Sequence, residues 1–421
     1  MLVMSLKKKI FALFICVSVL CLSMFLIYIK TRGPLRIILI VVDTLRSDHL
    51  SPYGSSLATP NVERLAARGQ VFTEAVSSFH QTTMSMASLF TGWIPSIESG
   101  QRGKTLPWTS CNWCGLSRFA VPGDTCVPQG LSTLAEDLRK KGYWTVGVVS
   151  NELLFRPYGY DQGFEDWIEV GKDSGWKRRT GDIVNRHVRE VLEQRRSEKL
   201  FLYVHYMDVH DWFQQRILYR KAVISFDRYL GKLLDDLDKR GLLEDAVVIF
   251  TSDHGEAREE KHVLPTTFGH RGNPSFEQVL RVPLIVAPAS SADKADQADL
   301  IRTEDVHDLI RQIAGIGDKP GRSDTMELEE DELYLTELRY QTYRKGRWKS
   351  FWPRNSSRIY LINLDADPKE MHDVANDHPE IIEAHRKRVV QLSQALSSDI
   401  GHDSQLSEED LDRLRALGYV K

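Results

Sequence analysis

The residues best suited to chemistry sit in three short stretches far apart in the chain. Ser78 to Gly92, SFHQTTMSMASLFTG, carries six hydroxyls: Ser78, Thr82, Thr83, Ser85, Ser88 and Thr91. The apolar run RIILIVVDT leads into Asp43, and DAVVIFTSDHGE leads into Asp253 and His254. Two carboxylates and an imidazole form a ligand set for a divalent cation such as Zn²⁺ or Mn²⁺. A hydroxyl beside such a cation becomes a competent nucleophile, because coordination stabilises its ionised form. Each residue alone has a plainer reading. An aspartate after a strand caps the next helix, Asp-His-Gly makes a turn, and serines and threonines cap helices. The hydroxyl stretch predicts a helix starting near Thr82 or Thr83, and such a helix start attracts phosphate or sulfate. On residue type, Thr82, Thr83 and Ser85 remain equal candidates.

The surrounding elements explain how these stretches meet. RIILIVV, KLFLYVHY, WTVGVV, AVVIF and RVPLIVAP are continuous apolar runs, the pattern of strands buried on both faces of a parallel sheet. Helical patterns lie between them. TPNVERLAARG predicts a helix with Thr59 as N-cap, Pro60 in the first turn and Gly69 as its stop, and a long amphipathic helix is expected from about Ile217 to Arg240. Alternating strands and helices imply an α/β domain whose ligands bind beyond the carboxyl ends of the strands. Asp43, the segment His205 to His210, and Asp253-His254 all fall at that edge. From about residue 323 the pattern changes to short strands with tight turns, one at Gly346, followed by helices at Pro379 to Leu396 and Ser407 to Leu417. The expected organisation is an anchor over 1–33, a catalytic α/β domain over 34–322 and a smaller α+β subdomain with an antiparallel sheet over 323–421.

The 421 residues are 27% charged and 42% hydrophobic with a net charge of −3, an ordinary globular composition without the basic stripe of a nucleic-acid binder. Lys7, Lys8 and Lys9 precede an uncharged apolar run from Ile10 to Ile29, long enough for one membrane-spanning helix. The lysines predict a cytoplasmic start and an extracytoplasmic catalytic domain, either periplasmic or extracellular. The run lacks the small residues of a signal-peptide cleavage site. Cys111, Cys114 and Cys126 lie close together, and one disulfide among them is expected with the pairing open.

The order of motifs resembles the sulfatase branch of the alkaline phosphatase superfamily. ILIVVDTLRSDHLSPYG followed by TPNVERLAARGQVFTEA is similar to that family's first strand and helix. SMASLFTG, TSDHGE, FEQVLRVPLIV, IYLINLDADPKEMHDVAN and LRALGYV are similar to its later segments. The resemblance implies an alkaline phosphatase-like α/β fold with a mostly parallel central sheet flanked by helices. It places the nucleophile on Thr82 and one metal on Asp43, Thr82, Asp253 and His254, with Zn, Mn or Ca as the ion. His210 and His270 would contact the substrate's anionic oxygens or its leaving group. A second metal on Asp208, His210 and His270 would match two-zinc phosphodiesterases, although their D-x-x-x-H spacing is replaced by Asp208-Val209-His210. Formylglycine sulfatases carry cysteine or serine within C/S-x-P-S-R where this chain has Thr82-Thr83-Met84-Ser85-Met86. The resemblance therefore points to a phosphoester hydrolase working through a phosphothreonine intermediate. The alternatives are a true sulfatase, a phosphoethanolamine- or phosphoglycerol-type transferase, and an inactive protein binding anionic glycans. The expected partners are a small-molecule, lipid or glycan ester and the membrane, with no nucleic acid; the oligomeric state is open.

Overall fold

A computed structural model of the chain describes residues 35–397 apart from 96–125, 128, 172–179, 195–198, 214, 259, 267–268, 271–274, 289–298, 318–327, 338 and 355. Seven strands form the main sheet: β1 (Arg36–Val42), β2 (Gln70–Phe72), β4 (Trp144–Val149), β5 (Asp166–Glu169), β6 (Leu200–Tyr206), β7 (Ala246–Thr251) and β8 (Leu284–Ala287). Their order is β2-β8-β7-β1-β6-β4-β5. The five strands from β7 to β5 are mutually parallel, and β8 and β2 add antiparallel at one edge. A short pair, β3 (Ala75–Val76) and β9 (Ile301–Arg302), lies apart from this sheet.

The apolar runs are continuous because both faces are covered. Ile37, Leu39 and Val41 of β1 enter one core, and Ile38, Ile40 and Val42 enter the other. The first core is closed by α2 (Thr82–Thr91), α3 (Leu134–Lys140) and α7 (Thr303–Ile313). The second is closed by α1 (Pro60–Ala66), α4 (Gly181–Gln194) and α5 (Tyr219–Lys239). Each fully buried aliphatic side chain contributes roughly 1.5–3 kcal/mol, so the strand centres are the least movable part of the fold.

Helix α1 begins where the sequence predicts, but not by the expected cap. Thr59 makes no capping bond. The carboxylate of Asp227, on α5, accepts from the backbone N–H groups of Asn61 and Val62 instead. The Thr59 hydroxyl receives the Ser51 N–H.

A second, antiparallel sheet orders β10 (Glu332–Thr336), β11 (Tyr340–Lys345), β12 (Trp348–Pro353) and β13 (Tyr360–Asn363) consecutively. Gly346 turns between β11 and β12 at φ +54°. Leu333, Leu335, Phe351 and Ile362 of this sheet pack with Met84, Val279 and Leu280, the latter two on α6 (Glu277–Leu280). Helix α8 (Pro379–Ser397) covers the sheet through Val389 and Leu392. The expected boundary at 322/323 falls within 318–327, outside the described residues. The apolar run 10–29, the pattern at 407–417, Cys111 and Cys114 also lie outside them. Cys126 is disulfide-bonded. Among the described residues no helix is long and apolar enough to cross a membrane.

Candidate active site

The parallel strands end side by side, and the polar residue that follows each one is brought to the same edge. Asp43 extends the ladder one step past β1, its N–H donating to the Tyr206 carbonyl over 2.9 Å. Asp253 and His254 follow β7, and Asn151 follows β4. Helix α2 then delivers Thr82 in its first turn. Ligand atoms of Asp43, Asp253 and His254 lie within 4.8 Å of one another, all buried. The Thr82 hydroxyl is 3.3 Å from Asp43 Oδ2 and 3.3 Å from His254 Nε2.

Backbone donors fix this group. Asp253 Oδ1 accepts from the N–H of Thr44 at 3.1 Å and of His254 at 2.8 Å. Thr44 takes φ +60° to turn its N–H there, a left-handed conformation that is costly for a β-branched residue. The Tyr219 hydroxyl holds that turn by donating to the Thr44 carbonyl and accepting from Arg46 N. His254 Nδ1 sits 2.8 Å from the Gly255 carbonyl. A carbonyl only accepts, so Nδ1 carries the proton and Nε2 presents its lone pair to Thr82.

This donor set fits a cation. Asp43 Oδ1 and Asp253 Oδ2 are buried without a hydrogen-bond partner. Asp253 Oδ2 faces the His254 Nε2 lone pair across 3.5 Å. The single Thr82 proton cannot serve both Asp43 and His254. Acceptors crowded this way are mutually repulsive unless a positive charge sits among them. In the metal-free protein burial, then the neighbouring Asp253, pushes Asp43 up to about 6. Burial likewise pushes Asp253 up to about 6. Burial and His270 push His254 down to about 3, so it is neutral, the form that binds metal. Asp43, Asp253, His254 and Thr82 would hold the ion.

The other expected residues divide. The ring of His270 lies 4.3 Å from that of His254 and 6.0 Å from that of His210, centroid to centroid. Glu256 meets His270 Nδ1 at 3.2 Å. Burial opposes a charge on His210, but the Asp43 and Asp211 carboxylates outweigh it and push it up to about 9. With 19% of the His210 side chain exposed, solvent moderates that field. Asp208 corrects the two-metal expectation. Its Oδ1 accepts the N–H of Gly181 at the start of α4, and among the described residues only Asp43, Asp253 and His254 form a metal-binding group. A D-x-H spacing after β6 turns the aspartate toward the helix rather than the histidine.

The open choice among hydroxyls narrows. Ser85 Oγ donates to the Asp253 carbonyl at 2.6 Å, bracing the ligand loop. The Thr83 carbonyl takes the Tyr160 hydroxyl, and Thr83 is fully buried. Arg46 is spent on Asp48, Glu260 and the Glu256 carbonyl. Asn151, not anticipated, donates from Nδ2 to Asp43 Oδ2 over 2.7 Å.

The sequence profile described as Sulfatase matches residues 36–317, two thirds of the chain. The chain belongs to the sulfatase family. It is a sulfatase-like hydrolase of ester bonds, in a metal-dependent family. An N-acetylgalactosamine-6-O-sulfatase of Bacteroides thetaiotaomicron is 23% identical, covering 82% of this chain and 91% of its own. The human N-acetylgalactosamine-6-sulfatase is 26% identical over 53% of this chain, which spans half of that relative's length. A solved structure of a protein in the alkaline phosphatase superfamily from Vibrio parahaemolyticus superposes with a TM-score of 0.63 at 15% identity, covering 89% of each chain. The sulfatase-family protein thus has the alkaline phosphatase-like fold expected from its motifs.

Proposed function

We propose that this protein hydrolyses a sulfate ester carried by a sugar, with Thr82 as the nucleophile. The observation that carries the site is the Thr82 hydroxyl placed 3.3 Å from both Asp43 Oδ2 and His254 Nε2. The ester class rests on the relatives, which are named as sulfatases of N-acetylgalactosamine. They favour sulfate over the phosphoester expected from the sequence.

Asp43, Asp253, His254 and Thr82 would hold a divalent cation, which would lower the cost of ionising the hydroxyl and neutralise charge on the group being transferred. Asp43 Oδ2 is in place as acceptor for the Thr82 proton. Thr82 Oγ1 then bonds to sulfur as the ester S–O bond breaks. His210, whose Nδ1 meets the Asp211 carboxylate, gives its proton to the departing sugar oxygen. Water next attacks the sulfur of the sulfated threonine, giving a proton to His210, as the Thr82 Oγ1–S bond breaks; sulfate leaves and the proton on Asp43 returns to the Thr82 oxygen. Asn151 and the Thr44 N–H hold the carboxylates still throughout.

One observation favours a second reading, phosphoester hydrolysis through phosphothreonine. Position 82 is a threonine rather than the cysteine or serine of formylglycine sulfatases. The same residues serve a phosphoryl group in the same order. Assays with an aryl sulfate, a sulfated amino sugar and an aryl phosphodiester separate the two. High-resolution mass spectrometry of the Thr82 peptide after brief substrate exposure distinguishes a sulfo from a phospho adduct. Thr82→Ala should lose at least about 10³-fold in kcat, with Thr82→Ser partly active. Full activity of Thr82→Ala ends both readings.

We also place the catalytic domain outside the cytoplasm behind a single N-terminal anchor. Support comes from the lysines preceding the apolar run 10–29 and from the disulfide at Cys126. Protease protection in intact cells tests that placement.

A further inference from the structure

The loop that carries the metal ligands hangs on another element. Gly255 N donates to the Val279 carbonyl over 2.9 Å, and Glu256 N donates to that of Gln278 over 3.0 Å. A Cβ on Gly255 would lie 2.1 Å from the Gln278 oxygen, so loop and helix are in direct backbone contact. That helix, α6, is a single turn, too short to be stable alone.

Its support comes from the second sheet. Glu277 N, the first donor of α6, gives its hydrogen to Glu370 Oε2 over 2.7 Å. Glu370 lies 93 residues later, in the turn after β13, fully buried and at φ +56°. Its Oε1 is 2.8 Å from Lys349 Nζ, on β12, and the same Nζ is 2.9 Å from Glu277 Oε1. Lys349 is also fully buried. The Glu370 carbonyl accepts from Val263 N over 2.8 Å, which ties down the segment between Glu256 and His270 as well. One residue of the C-terminal turn therefore contacts both the helix that backs the His254 loop and the stretch that leads to His270.

We propose that Glu370 and Lys349 are a positioning pair for the metal-ligand loop, setting through α6 the placement of His254 and of the Glu256 that orients His270. The inference rests on the metal reading of the site given above. A buried charge pair with so exact a set of partners costs desolvation, and its return here is geometry at Asp253 and His254.

The experiment compares Glu370→Ala, Glu370→Gln and Lys349→Met with wild type, using Asp227→Ala as a control that weakens a remote helix cap. Metal affinity is read by competition with a fluorescent chelator for Zn²⁺, Mn²⁺ and Ca²⁺. Hydrogen exchange is read at the Gly255 and Glu256 amides. Glu370→Ala should weaken metal binding about 10–100-fold and speed exchange at both amides. Glu370→Gln keeps an oxygen for Glu277 N and should fall between Ala and wild type. Asp227→Ala should lower the unfolding midpoint without moving either readout. If Glu370→Ala does not fold, Glu370→Gln and Lys349→Met decide. The inference is overturned if the variants lose stability but keep wild-type metal affinity and wild-type protection at Gly255 and Glu256. A wild type that binds none of the three ions overturns the metal reading, and the exchange arm still decides whether Glu370 holds the loop.

Discussion

Asn151 Nδ2 donates to Asp43 Oδ2 over 2.7 Å, linking the residue after β4 to the residue after β1 across the intervening strand β6. The amide supplies a donor to a carboxylate oxygen that also meets Thr82. It thereby leaves Oδ1 for the ion.

Removing that donor should be felt in turnover. Asn151→Leu is expected to lower kcat/KM or metal affinity about 10–100-fold, the usual effect of losing a partner of a metal ligand. Asn151→Asp should cost more, because it adds a third carboxylate to the same space. Steady-state kinetics across a metal titration checks both. Wild-type kinetics in Asn151→Leu would remove Asn151 from the site.

The two raised carboxylates give the metal-free protein a defined response to pH. Asp43 binds its proton more tightly folded, at about 6, than in the unfolded chain, near 3.8. Its stabilising contribution is therefore complete below the unfolded value and lost as pH rises through about 6. Relative to Asp43→Asn, the wild type in chelator should lose on the order of 3 kcal/mol between those limits. Urea midpoints of both proteins over that range test the sign, and a wild type that gains stability relative to Asp43→Asn as pH rises contradicts it. Metal affinity should rise over the same window, since binding displaces the proton.

The Asp227 cap makes a stability prediction away from the site. Its carboxylate accepts from Asn61 N at 3.1 Å and Val62 N at 3.0 Å. Asp227→Ala should cost about 1–2 kcal/mol in a urea unfolding experiment, the value of a lost helix cap. Activity with saturating metal should be unchanged. Thr59→Ala, often the first choice at such a position, should not reproduce the loss of a cap.

Much of the site is legible in the sequence for one reason. A run buried on both faces of a sheet admits no carboxylate until it ends, so Asp43 and Asp253, with His254 beside it, mark their own location. Asn151 carries the same mark, following WTVGVV and Ser150, but an amide is not a metal ligand and its role as donor appears only when Asp43 is beside it. Asp208 shows the converse. It too follows a buried strand, yet its carboxylate is claimed by the start of α4, a contact 27 residues away that no spacing rule contains. The cap on α1 failed for a similar reason: a carboxylate from α5 outcompeted the local hydroxyl. Glu370 lies in the segment IYLINLDADPKEMHDVAN without a signal of its own, because its partners Glu277, Lys349 and Val263 are distant in the chain.

All ten residues of α2 are buried, from Thr82 to Thr91. A helix enclosed on every side has no solvent-facing position at which drift is neutral, and its first residue cannot swing out to meet differently shaped molecules. Diversification toward new esters must then proceed by remodelling the rim, while the attacking oxygen stays where the sheet puts it.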